Sequence, residues 1–181
     1  MTDEEFEEAM ENAAIGLLPA PPEAGELDAA SRWVICNVKK HVRCPCCRQR
    51  ARMYERKIHS SAAGVLVLLA AGTQPGEFVH VGAFIAGHPH LSPRARAAIR
   101  GDYAKLSYWG FIEDSHPAQK PRRGYWRITL AGRQFARGET KAPRAVMIYN
   151  ERVYGHTTAT VTIHQALGSK FNYEELVRPW A

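Results

Sequence analysis

The chain has 181 residues, 45% of them apolar and 23% charged. That is enough to build one packed domain with extensions, and too apolar for wholesale disorder. The net charge of +6 is unevenly divided: nine of the 18 acids lie in residues 1–28, which hold no lysine or arginine, so residues 29–181 set all 24 basic residues against nine acids, a surplus of fifteen. A membrane span of ~20 apolar residues is excluded, and an acidic, cation-free N-terminus is the opposite of a targeting leader and points to the cytoplasm.

Taken in chain order, residues 3–12 suit a short helix or a frayed tail, and Leu18-Pro19-Ala20-Pro21-Pro22 reads as a linker because proline lacks the amide donor. Residues 1–31 are therefore expected to be an acidic tail and linker, and 32–57 a basic cysteine region. Ser60-Ser61 suits the N-cap of a helix that runs through Val65, Leu66, Leu68 and Leu69 to Gly72. A turn at 74–77, a strand at 78–81 and a short helix near 83–86 follow. Ser92-Pro93 starts another helix, which either reaches Trp109 or divides at Gly101-Asp102. Two strands are expected at 111–113 and 125–129, then a helix from Leu130 to Arg137. Val146–Tyr149 and Arg152–Tyr154 flank Asn150-Glu151, a hairpin signal, and two short helices near 161–167 and 173–177 close the chain.

Helix, short strand, helix, helix, two-strand hairpin, helix is the order a winged helix requires. The expected fold class is α+β: a winged helix-turn-helix core at 58–139, an N-terminal cysteine knuckle, and a C-terminal β-hairpin and helix extension at 140–181 that packs on the core. On a continuous helix from 93 to 109, Arg96, Arg100 and Ser107 would share the side opposite Ile99, Leu106 and Trp109. Small neighbours would let that side approach a groove closely. Together with Arg94 these are candidate DNA-reading residues. Lys120, Arg122 and Arg123 stand where a wing tip meets phosphate or the minor groove.

All four cysteines fall within twelve residues, at 36, 44, 46 and 47. Cys44-Pro45-Cys46-Cys47 has the two-residue spacing that aims a pair of thiolates at one ion, with Cys44 and Cys47 as the pair. A structural zinc site needs four ligands. Cys36 and His41 would complete a C-x4-H-x2-C-x2-C set; His59 or a second subunit is another route. Arg43, Arg48 and Arg50 surround the knuckle as a candidate phosphate clamp. A cytosolic setting argues against disulfides. No HExxH, paired carboxylates or phosphate-cradling glycine loop is present, so no enzyme is expected.

The C-P-x-C knuckle, Tyr54, Arg56, Lys57, Ser60 and Ser61, the run Gly101–Glu113 and the run Gly124–Gly132 together resemble an uncharacterised protein family of bacteriophages and prophages. The tail, with Ile148-Tyr149-Asn150 and the segment 166–176, is similar too. The resemblance spans about residues 44–177 and implies a winged-helix-like core, a phage origin and a zinc ion, and supplies no catalytic residue. The family has glycine after the knuckle where this chain has Arg48. The expectation is a phage-encoded, transcription-regulator-like protein that binds double-stranded DNA in the host cytoplasm, with dimerisation left open. The alternative is a non-enzymatic phage protein that binds and inhibits a host protein.

Overall fold

The computed structural model describes residues 27–88, 91, 93–99, 103–115 and 124–178. The chain is mixed α and β and divides into two compact units, one of residues up to Glu55 with Met147–Arg152, the other of Arg56–Val146 with Val153 onward. No described helix is long and apolar enough to cross a membrane.

In the first unit, helix α1 (Leu27–Asn37) buries Ala30, Val34, Cys36 and Asn37. The boundary expected at residue 31 thus falls inside a helix. The Asn37 side chain donates to the Trp33 carbonyl at 2.8 Å. A 3-10 turn at Val38–Lys40 follows, and His41, in the left-handed region at φ 57°, turns the chain out of it.

The second unit holds the main core. Helix α2 (Ser60–Gly72) buries every residue from Ala62 to Leu69, so it is apolar all round rather than amphipathic, as a central core helix must be. Each of its buried valines and leucines contributes about 1.5–3 kcal/mol. Its N-cap is His59, with no side-chain bond, rather than the serines expected there. Strand β2 (Val79–His80) leads into α3 (Val81–Ala86), whose first turn is capped by His80 Nδ1 accepting from the Ala83 amide. Helix α4 (Pro93–Ile99) and a 3-10 helix (Tyr103–Trp109) follow as separate elements. Strands β3 (Ile112–Asp114) and β4 (Tyr125–Ile128) precede α5 (Leu130–Ala136). Helix α2 packs against α4, the 3-10 helix, β4 and α5. The sheet order is β2-β4-β3, antiparallel, with Ile112 opposite Ile128 and Val79 opposite Trp126.

Downstream lie β5 (Ala142–Pro143), β6 (Ala145–Tyr149), β7 (Arg152–His156) and β8 (Thr160–Val161), then α6 (Ile163–Leu167) and α7 (Tyr173–Val177). The expected hairpin is present: Asn150 and Glu151 both take positive φ, 46° and 60°, as a two-residue turn matched to strand twist requires. The Thr162 and Gln165 side chains cap α6 reciprocally. Helices α6 and α7 both pack on α2. The sequence missed the β5–β8 pair and β1 (Tyr54–Lys57), which forms a sheet of order β1-β6-β7.

Two sequence motifs prove to be one joint. The 3-10 helix ends in a Schellman closure: Gly110, at φ 68°, donates to the Ser107 carbonyl at 2.9 Å, and Phe111 reaches back to Leu106 at 3.2 Å. Thr129 then binds that corner from the far side. Its amide donates to the Phe111 carbonyl at 3.0 Å, its hydroxyl to the Gly110 carbonyl at 2.6 Å, and the hydroxyl oxygen accepts from the Gly132 amide. Gly132 lies directly on the Phe111 carbonyl, where a Cβ would overlap it. Phe111 stacks on Phe135 with ring centroids 4.7 Å apart, closing the joint against α5.

Candidate metal centre and nucleic-acid interface

The cysteine knuckle is a miniature hairpin in the first unit. The Ala51 amide donates to Val42 at 2.8 Å at its base, Arg43 bridges Arg50, and the Cys44 amide donates to Gln49 at 2.9 Å near its tip. The tip turns through Pro45, Cys46 and Cys47, and the Arg48 amide returns to the Cys44 carbonyl at 2.9 Å. Arg48 adopts φ 56°, so this chain makes the left-handed step with an arginine where the family it resembles has glycine. The conformation costs a non-glycine residue roughly 1–2 kcal/mol. The backbone bonds on either side of the tip and the Arg43 guanidinium, which donates to the Arg48 carbonyl at 3.2 Å, hold it in place.

The turn also sets the state of the thiols. The backbone amides of Cys47 and Cys46 donate to the Cys44 thiol and hold it below its ordinary value, whereas burial pushes the Cys36 thiol up. Cys44 and Cys46 are half-buried and Cys47 is exposed; all four thiols are free. Among the described residues no three of His, Cys, Asp or Glu converge as a metal site. Cys36 lies buried in α1 and His41 precedes the base of the hairpin, so the structure does not bring them to Cys44 and Cys47 as a four-ligand set. The tip carries Cys44 and Cys47 with two residues between them, a spacing used by thiolate pairs that share one ion. Arg43, Arg48 and Arg50 are all exposed around it, together with Lys39 and Arg52, and the Arg52 guanidinium lies 4.6 Å from the Tyr54 ring centroid.

In the second unit, the described stretches of the predicted reading helix are of two kinds, α-helix at 93–99 and 3-10 at 103–109. Arg96 belongs to α4 and Ser107 to a 3-10 helix, whose 3.0 residues per turn cannot carry on the same face. Arg96 is half-buried and donates Nη2 to the His88 carbonyl at 2.9 Å, with its Nε enclosed. Its expected outward orientation is therefore corrected: the side chain braces the corner between α3 and α4. The exposed Ser107 hydroxyl donates to the Ala104 carbonyl at 2.7 Å within its own helix. Arg94 sits in the first turn of α4. Arg100, Lys120, Arg122 and Arg123 lie outside the described residues.

The strands bounding the expected wing are described. Asp114 pairs with Trp126, so residues 115–124 connect the two strands of one antiparallel hairpin. At its root Arg127 pairs with Glu113 across the strands and lies 4.8 Å from the Phe78 ring centroid. Gly124, at φ 85°, lets the backbone approach His80 closely, and His80 meets Tyr125 edge-on at 5.3 Å.

Sequence reasoning missed Arg133. It is 7% exposed and donates to the Ala70 carbonyl at 3.1 Å, the Thr73 hydroxyl at 3.1 Å and the Gln74 carbonyl at 2.7 Å, tying α5 to the end of α2. It lies beside a shallow groove of about 470 Å³ whose other cations, Arg127 and Arg137, stand near Glu113 and Glu139. That charge balance leaves the groove without a strong anion preference. Comparison with known proteins returns no matching family, no matching characterised protein and no matching solved structure.

Proposed function

We propose that this chain is a phage-encoded, winged-helix DNA-binding protein of the family its motifs resemble, and that its cysteine knuckle binds zinc. The observation that carries the reading is the antiparallel order β2-β4-β3 beside helices α2, α3 and α4, with the β3–β4 connection bearing Lys120, Arg122 and Arg123. A connection whose sequence holds three cations, in a chain with a fifteen-charge basic surplus over residues 29–181, suits phosphate contact. Because Arg96 is committed to the His88 carbonyl, the reading puts phosphate affinity in the wing and knuckle. Base contacts fall to Arg94 and Arg100.

Fluorescence anisotropy with a labelled duplex across a salt series tests this. The wild-type chain binds with an affinity that falls steeply with salt, and the variant K120A/R122A/R123A loses about 2.7 units of the log–log slope, ~0.9 for each phosphate contact. A wild-type affinity indifferent to salt, or an unchanged slope in the variant, refutes the proposal. One observation favours a second reading: with Arg96 turned inward, the winged core serves as a scaffold and its basic surplus docks an acidic host protein. A stoichiometric host partner retained without DNA would select it.

A further inference from the structure

The knuckle poses a problem of ligand number. A structural zinc ion takes four donors at tetrahedral positions, about 2.3 Å away where these are thiolates. The hairpin tip offers the Cys44 and Cys47 thiols, and among the described residues no third donor converges with them. Residues 1–26 contain neither cysteine nor histidine, so the N-terminal segment adds no soft ligand. Cys36 is buried in α1. The tip itself is open, with Cys47 exposed and Cys44 half-buried, at the end of a ladder fixed by three backbone hydrogen bonds. It holds a pair of thiols that solvent can reach.

We propose that two copies of this chain share one zinc ion, each contributing Cys44 and Cys47 to a four-cysteine centre that joins them. The proposal rests on the zinc reading of the knuckle and adds where the missing ligands come from. Tetrahedral geometry suits it, because a two-fold axis passes between the two ligand pairs of a tetrahedron and the common homodimer is built on such an axis. Charge suits it as well. Zinc with four thiolates carries two negative charges, and Arg43, Arg48 and Arg50 of each copy, with no acid between residues 29 and 54, stand ready to balance them. Without the ion the same arginines repel, so association depends on the metal. The two thiols on each side would release their protons to bind as thiolates, so the dimer is weaker in acid.

The test uses the full chain, stripped with a chelator and then titrated with zinc, and reads mass and metal content together by native mass spectrometry and light scattering. The expected result is a monomer without metal that converts to a dimer holding one zinc per two chains. Cobalt in place of zinc should give the absorption of a tetrathiolate centre. C44S/C47S should abolish both metal uptake and dimerisation while circular dichroism is unchanged, and C46S should retain both. One zinc per monomeric chain overturns the sharing and leaves the zinc reading standing. No zinc uptake overturns both. A dimer that survives chelation overturns the metal bridge, and loss of uptake in C46S overturns the ligand pair.

Discussion

Replacing Gly132 by alanine opposes two physical effects of known size. Gly132 sits inside α5, where helix propensity alone favours alanine over glycine by about 1 kcal/mol. The structure reverses that sign. A Cβ at this position overlaps the carbonyl of Phe111 and comes within 2.9 Å of Ile128 Cγ1. The first obstacle is backbone, held by the Thr129 amide, and cannot swing aside as a side-chain end does. To make room, the first turn of α5 must lift off the corner at Gly110–Phe111. Such overpacking costs about 1–3 kcal/mol, and weakening the Thr129 cap adds about 1 kcal/mol. After the propensity gain, the net loss is about 2 kcal/mol. For a chain of this size that lowers Tm by roughly 4–8 °C. Urea denaturation followed by circular dichroism measures it, with G155A as a control, because a Cβ there meets nothing within 4 Å. If G132A is as stable as the parent or more so, the joint does not hold α5 against the Phe111 backbone.

Two further outcomes follow from the buried polar groups. Arg133→Met keeps the apolar stem but strands the Ala70 and Gln74 carbonyls and the Thr73 hydroxyl, so it should destabilise the chain by about 3 kcal/mol; a denaturation midpoint within error of the parent would show that water replaces the guanidinium. Burial raises the phenols of Tyr103 and Tyr173, the latter also through Glu174, so the folded chain holds these protons more tightly than the unfolded one. Stability is then intact below the unfolded value of ~10 and is lost as pH climbs past it. Tyr103→Phe should flatten that alkaline loss in unfolding curves taken at pH 8 and above pH 10, and equal losses in variant and parent would contradict the assignment.

What the sequence revealed was mostly local. The apolar run at 62–71 is a buried helix whatever surrounds it, and Asn150 is a residue type that accepts the left-handed step of a tight turn. The two short closing helices expected near 161–167 and 173–177 are present as α6 and α7. The paired runs at 105–113 and 124–132 were visible as motifs, but their purpose was not. That Thr129 and Gly132 clamp the corner at Gly110–Phe111 is a contact across 18 to 21 positions of chain, which no window of periodicity spans. Arg133 illustrates the same limit more sharply: its partners lie 59 to 63 residues upstream, and a lone arginine in a short amphipathic helix looks like any solvated cation.

Arg96 and Arg48 show why charge and residue type mislead in opposite directions. On a helical wheel Arg96 faced outward, because the wheel assumed one continuous helix and a long cation that prefers water. The chain instead is α-helical over Pro93–Ile99 and 3-10 over Tyr103–Trp109, and the His88 carbonyl takes up the guanidinium as its donor. An arginine with five donors serves such a structural acceptor as readily as it serves a phosphate. Arg48 shows the other direction: a non-glycine residue follows the knuckle, and the turn forms with it at φ 56°. The strain of roughly 1–2 kcal/mol in that step is local, while the ladder from Val42 to Ala51 and the Arg43 clip act together against it. Residue type sets the cost of a conformation, and the sum of long-range bonds decides whether the chain adopts it. That is why the knuckle's shape had to come from coordinates even though its cysteines were plain in the sequence.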